Sequence, residues 1–352
     1  MYPLSEGLFA VRNQWYVAAW SSEVGREPIE RWVMDEPVAF YRTTAGQAVA
    51  LAGRCPHRNF PLGKSRVDGD NIECGYHGIV FAPDGHCVRI PSQAQIPANC
   101  KVRSYPVAER WKWIWIWTGD PEKADEALIP DHEALGFFDP QFEIAADCYY
   151  SVPGRYTLMH DNLFDLTHLA FLHRSSIGAN SDQSVEEIRE NGPDWISSKR
   201  EFKNIECPPY YSQICGYYGP IDRAFGMKLY YPCLHAGYDD LTKANNSGES
   251  SGESVGRVRI WHAITPATRH TAHYFFAYGS DFAVGNPAMA LGMQEALRPT
   301  LEEDMMATRE LERMIQACGA KAEKEVLLRS DATCVRGRRI FEDLIRAEMA
   351  GQ

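Results

Sequence analysis

Four residues carry the first chemical signal: Cys55 with His57, then Cys74 with His77, two mixed thiol and imidazole pairs with sixteen residues between them. In Cys-x-His and Cys-x-x-His, a short loop lets both side chains turn toward one metal. Pro56 fixes and Gly75 frees the backbone where such loops bend. Two thiolates on one iron and two imidazoles on the other would hold a [2Fe-2S] cluster of raised reduction potential, because neutral imidazoles remove negative charge from the centre. The same four ligand types also make tetrahedral zinc sites, although those more often pair Cys with Cys and His with His. The third reading is accident. With 10 Cys and 11 His in the chain, a chance match should arise on the order of once per thousand such chains.

A second cluster of polar residues interrupts the apolar run Asn162-Leu-Phe-Asp165-Leu-Thr-His168-Leu-Ala-Phe-Leu-His173. On a regular helix Asp165 and His168 lie about 60° apart, whereas His168 and His173 differ by roughly 140°. Both imidazoles reach one metal only if the helix is distorted or ends between them. The chemistry this points to is a 2-His-1-carboxylate triad on iron(II), which leaves positions open for dioxygen and substrate. Asp165 is placed to be a hydrogen-bond partner of His168, so the third ligand must come from elsewhere. Leu301-Glu302-Glu303-Asp304 offers three carboxylates. Spacing does not choose among them, and satisfied helix histidines with a solvated acidic face are the plain alternative.

The elements that must position these groups fall into two parts. From Asn13 to about Trp117 the chain reads as short strands, among them Trp15 to Trp20, Pro37 to Tyr41 and Ala48 to Ala52, with hairpin turns at Gly69-Asp70 and Asp84-Gly85. Trp111 to Trp117 reads as a buried strand. Polar residues from Thr118 to Asp125 mark a boundary, which predicts domains at 1–119 and 120–352. Beyond it, Asn245 to Ser254 reads as an exposed mobile loop, Arg257 to Ile264 and His270 to Tyr278 as strands, and Ala288 to Cys318 and Arg336 to Ala350 as helices.

A chain of 352 residues with 45% hydrophobic and 24% charged residues is an ordinary globular protein of two domains. Its net charge of -11 argues against general nucleic-acid or anionic-membrane binding. The N-terminus lacks a basic region followed by an apolar core, and no run approaches the roughly eighteen apolar residues of a membrane span. A cytoplasmic protein is the expectation, with its eight other cysteines free and the Asn245-Asn246-Ser247 sequon unmodified. No Gly-x-Gly-x-x-Gly motif is present, so nicotinamide and flavin would belong to a partner.

Taken together, the two motifs resemble the oxygenase component of Rieske non-haem iron oxygenases. The resemblance covers essentially the whole chain and is closest to the group of vanillate O-demethylase, dicamba O-demethylase and toluenesulfonate methyl-monooxygenase. Its signs are Asn13-Gln-Trp-Tyr-Val-Ala-Ala, Cys55-Pro-His-Arg, Cys74-Gly-Tyr-His-Gly, Ile114-Trp-Ile-Trp-Thr-Gly-Asp-Pro, Asp161-Asn-Leu-Phe-Asp-Leu-Thr-His and His173-Arg-Ser-Ser-Ile-Gly. It implies an α+β protein: an N-terminal all-β Rieske [2Fe-2S] domain and a C-terminal helix-grip catalytic domain, an antiparallel sheet wrapped round a long helix. It also implies that Cys55, His57, Cys74 and His77 hold the cluster and that His168, His173 and Asp304 hold mononuclear iron(II). Asp165 matches the bridge from His77 of one subunit to His168 of its neighbour in a head-to-tail homotrimer. Asn162 matches an asparagine near the iron.

The implied activity is a monooxygenase in aromatic-compound catabolism, O-demethylating a methoxybenzoate-like acid with electrons from an NAD(P)H-dependent flavin and iron-sulfur reductase, directly or through a ferredoxin. Methyl or ring hydroxylation on the same centre is the nearest alternative. A Rieske electron carrier is the alternative of another class. His262, His273, Tyr230 and Tyr231 are the candidate substrate contacts, and Arg257 and Arg259 could neutralise a substrate carboxylate. The sequence departs from the group at Arg58-Asn59-Phe60-Pro61 and through much of 180–255, where pocket walls are expected.

Overall fold

The computed structural model describes residue 4 and residues 7–131, 136–178, 185–193, 195–244, 250–319 and 325–351. The N-terminal part is built from β1 (Trp15–Trp20), β2 (Ile29–Val33), β3 (Glu36–Arg42), β4 (Ala48–Ala52), β5 (Arg66–Asp68), β6 (Asn71–Glu73), β7 (Val80–Phe81), β8 (Cys87–Arg89), β9 (Ser104–Tyr105), β10 (Val107–Arg110) and β11 (Trp113–Trp117). These form three antiparallel sheets in the orders β1-β11-β10, β2-β3-β4-β9 and β5-β6-β7-β8. Gly69 and Gly85 take positive φ, and each lies in the turn between two paired strands. Trp111 and Lys112 also take positive φ and make the two-residue hairpin joining β10 to β11. The buried strand therefore starts at Trp113 rather than at Trp111.

The C-terminal part follows with β12 (Glu143–Val152), α1 (Tyr156–Phe164), β13 (Ile188–Asn191), β14 (Trp195–Glu206), α2 (Pro209–Cys215), β15 (Pro220–Tyr230), β16 (Leu234–Ala244), β17 (Ser250–Thr268), β18 (Thr271–Ser280), α3 (Pro287–Ala296), α4 (Arg298–Cys318) and α5 (Ala332–Ala350). One seven-stranded antiparallel sheet runs β12-β18-β17-β16-β15-β14-β13. Helix α1 packs against β17 and β18 on one side and against α4 and α5 on the other, which places it between sheet and long helix. The fold is α+β, with all-β structure N-terminal to a sheet and helices.

Three expectations change here. The stretch from Ser250 to Ser254 belongs to β17, so the expected loop shortens to residues that lie outside those described. The expected helix from Ala288 to Cys318 is two, divided at Leu297, where Pro299 in the first turn of α4 has no N–H to continue the α3 ladder. Helix α5 begins at Ala332, ahead of Arg336. No helix among the described residues is long and apolar enough to cross a membrane.

Two main apolar cores result, with a minor cluster of Leu166, Phe202 and Phe225 beside them. A small one lies beneath the cysteine loops and includes Cys55, Leu62, Ile72, Cys74, Ile79 and Phe81. The large one takes in β1 and β11 together with the seven-stranded sheet and its helices. Main-chain bonds from Met34 N to Pro266 O at 2.9 Å and from Asp35 N to Ala267 O at 3.0 Å join the β2-β3 turn to the end of β17.

Candidate metal centres

The two cysteine loops are built alike. Cys55 N donates to Phe60 O at 3.0 Å and Asn59 N to Cys55 O at 2.9 Å; in the second loop Cys74 N donates to Ile79 O at 2.8 Å and Gly78 N to Cys74 O at 2.9 Å. Each loop is closed by a residue of positive φ at the same place, Asn59 at 56° and Gly78 at 70°. Asn and Gly tolerate that conformation better than other residues, a signal present in the sequence that spacing did not reveal. The loops bury both thiols and leave His57 and His77 exposed, with ring centroids 4.5 Å apart. Burial first, then the adjoining Cys74 thiol, pushes the Cys55 thiol up to about 11. Two buried sulfurs beneath two solvent-facing imidazoles fit the donor set of a Rieske cluster.

The second group gathers around α1. That helix ends at Phe164, Asp165 leaves helical geometry with φ -84° and ψ 78°, and a 3-10 turn from Leu166 to Ala170 carries His168. The break supplies the distortion that two imidazoles five residues apart require. His168 Nε2 lies 3.2 Å from His173 Nε2, and Asp304 Oδ1, arriving on α4, lies 2.9 Å from the latter and 3.4 Å from the former. Donors at right angles on a metal with bonds of about 2.1 Å sit about 3 Å apart, so the three atoms fit one face of an octahedral ion. All three ligand atoms lie within 4.8 Å of one another, as one mononuclear ion requires. Burial by itself would raise the pKa of Asp304, but hydrogen bonds from His168 and His173 more than offset it and hold the carboxyl well below the usual range.

The surrounding carboxylates make different contacts. Asn162 Nδ2 donates to Asp304 Oδ1 at 3.0 Å, and Glu303 Oε2 lies 2.7 Å from His173 Nδ1. Asp165 does not hold His168 with its carboxylate in this chain. Its backbone carbonyl faces His168 Nδ1, while Oδ1 accepts from Thr167 N at 3.1 Å and caps the 3-10 turn.

A mostly apolar cavity opens beside the triad, lined by Leu163, Leu166, Phe225, Met227, Ile260 and Phe276 together with Asn162, His168, His173 and His262. His262 Nδ1 lies 2.6 Å from Tyr274 Oη, and burial pulls its pKa down to about 4, so the ring is neutral. The other expected contacts lie elsewhere. His273 bonds Tyr149 Oη at 2.9 Å and Trp32 O at 2.7 Å at the junction of the two parts. Tyr231 packs on Phe341, and Tyr230 takes Lys228 against its ring in a separate surface depression. Arg257 pairs with Asp281 and Arg259 with Asp240. The guanidinium that does line the cavity, Arg223, is held by both oxygens of Asp239 at 2.9 and 2.6 Å.

Residues 14–106 match the Rieske [2Fe-2S] domain, and residues 152–347 match the vanillate O-demethylase oxygenase C-terminal domain. The chain belongs to the Rieske non-haem iron oxygenases. The oxygenase is 32% identical to the toluene-4-sulfonate monooxygenase system iron-sulfur subunit TsaM1 of Comamonas testosteroni, over 97% of this chain and 99% of that one. It is 31% identical to the dicamba O-demethylase oxygenase component of Stenotrophomonas maltophilia, again over 97% and 99%. The crystal structure of dicamba monooxygenase bound to 3,6-dichlorosalicylic acid superposes with a TM-score of 0.88 at 30% identity, covering 97% of this chain and 100% of that one. The oxygenase is thus an oxidoreductase of the monooxygenase type whose cofactors are a Rieske [2Fe-2S] cluster and mononuclear non-haem iron. That excludes both the zinc reading of the first motif and the simple electron carrier.

Proposed function

We propose that this oxygenase O-demethylates a small methoxylated aromatic acid, releasing formaldehyde. The observation that carries the reading is the convergence of His168, His173 and Asp304, with both imidazoles at the wall of an apolar cavity. Relatives named for dicamba and vanillate O-demethylation support the ether bond as target. In this reading Cys55, His57, Cys74 and His77 hold the cluster, His168, His173 and Asp304 hold the iron, and the chain divides near residue 119. When bound, the iron supplies dioxygen activation and hydrogen abstraction from the substrate carbon. Hydroxylation of a methoxy methyl gives a hemiacetal, which collapses to a phenol and formaldehyde.

The chain's own residues orient and exclude water. Leu163, Phe225, Ile260 and Phe276 enclose the ring, and neutral His262 offers a hydrogen bond to a polar substituent. With Arg223 held by Asp239, a substrate carboxylate is met by neutral donors rather than by an unpaired cation. Electrons come from an NAD(P)H-dependent flavin and iron-sulfur reductase, with or without a ferredoxin. Asp165 carries them from His77 of one subunit to His168 of the next in a homotrimer, its main-chain carbonyl meeting His168 Nδ1 and its side chain the neighbour's His77, and Asn162 steadies Asp304. The toluenesulfonate relative favours a second reading, methyl hydroxylation. Supplying NADH and a surrogate reductase to a panel of methoxylated and methylated aromatic acids separates them: formaldehyde in step with substrate loss supports demethylation, and hydroxylated product without formaldehyde refutes it.

A further inference from the structure

We infer that Glu303 is a positioning residue that holds the Nδ1 edge of His173 and thereby turns Nε2 toward the metal. The inference rests on the reading that His168, His173 and Asp304 hold iron. A neutral imidazole has one N–H and one lone pair, and the partner of one nitrogen decides the state of the other. An ionised carboxylate only accepts, so with Glu303 Oε2 at 2.7 Å the His173 Nδ1 is the donor. The other ring nitrogen, Nε2, faces Asp304 Oδ1 at 2.9 Å and the His168 Nε2 at 3.2 Å, the position in which it joins the metal-holding group.

The arrangement comes from two consecutive residues of α4. Asp304 meets one edge of the His173 ring and Glu303 meets the other, so a single helical turn grips both nitrogens of a ring that is itself 1% exposed. His168 is held differently, by the neutral main-chain carbonyl of Asp165. Of the two imidazoles, only His173 therefore has a charged acceptor behind it, which raises its basicity as a ligand. Glu303 keeps 32% of its side chain exposed, so the fold itself demands little of it. It is not part of a merely solvated acidic face.

The test compares wild type, Glu303→Gln, Glu303→Ala and His173→Ala, each stripped of the mononuclear iron with a chelator while the visible absorbance of the Rieske cluster is followed. Iron(II) is then returned anaerobically against a colorimetric chelator. Glu303→Ala is expected to weaken iron(II) binding by ~10–100-fold. Glu303→Gln, whose amide oxygen still accepts from Nδ1, should recover most of that loss, and the melting temperatures of the iron-free proteins should agree. Alanine and wild type binding iron(II) equally would overturn the inference while leaving the iron site intact. Equal loss in glutamine and alanine, with a matching fall in iron-free stability, would make Glu303 a fold residue and overturn it as well. Wild type that takes up no more iron(II) than His173→Ala would refute the metal site itself.

Discussion

His273 gives a quantitative prediction about acid stability. Its Nε2–H donates to Trp32 O, and its Nδ1 accepts from the Tyr149 hydroxyl, beneath the Arg31 guanidinium that lies 4.4 Å from the Tyr149 ring centroid. Protonating Nδ1 would oppose a donor and bring a second positive charge toward Arg31 in a desolvated place. Burial, and more weakly Arg31, accordingly pull the pKa from 6.5 down to about 4. Above the unfolded value neither state binds the proton, and the neutral ring contributes its full stability. As pH falls from 6.5 toward 4 only the unfolded chain takes the proton, so stability drops by ~1.4 kcal/mol per pH unit, about 2 kcal/mol between pH 7 and pH 5. His160, His235 and His262 are likewise depressed by burial and add to the acid lability. Those three are common to wild type and His273→Gln, so the difference between the two proteins isolates His273. Urea unfolding followed by tryptophan fluorescence should show the variant less stable near neutral pH, yet losing about 2 kcal/mol less than wild type on acidification. Parallel loss in both would refute the assignment of a buried neutral imidazole at this junction.

Asp165→Asn should leave the cluster and the iron bound while slowing coupled turnover by ~10–100-fold, because the side chain that would meet His77 of the neighbouring subunit loses its charge; full product formation per NADH at the wild-type rate would refute the bridge. Arg223→Met leaves Asp239 buried without its partner and should cost about 3–5 kcal/mol, read as a lower urea midpoint. Removing Asp239 as well should restore most of that loss, and a double variant no better than Arg223→Met would show that the ion pair is not the cause.

What the sequence revealed about the sites follows the range of the contacts. The cysteine loops were legible because each is closed within five residues, and His168 and His173 because one helix end carries both. Asp304 lies far along the chain, and only the resemblance separated it from Glu302 and Glu303; the helix sends the adjacent carboxylates Glu303 and Asp304 to opposite edges of one ring, a contact no spacing encodes. The histidines of the late strands were harder. His262 and His273 both sit on inner strands, yet the register pairs His262 with Phe276 beside the cavity and His273 with Thr265 at the far end, under Trp32. Register depends on the whole sheet, which composition does not encode. Asp165 was legible as a residue but not as a contact, since its carbonyl rather than its carboxylate meets His168.

The shared core has a consequence for inheritance. Trp20 packs against Phe275, Trp113 against Phe137, and Phe137 in turn against Trp261, while the Trp20 indole donates to Cys148 O and the Thr265 hydroxyl to Val17 O. The cluster-bearing half therefore cannot be traded between relatives like a bead on a string. A chimera cut near residue 119 would bring tryptophans shaped for one partner sheet against another, and the aromatic seam must travel with both halves. Lineages of this oxygenase are then expected to diversify through the cavity side chains of β15 to β18, leaving β1 and β11 to change only in concert with the sheet they face.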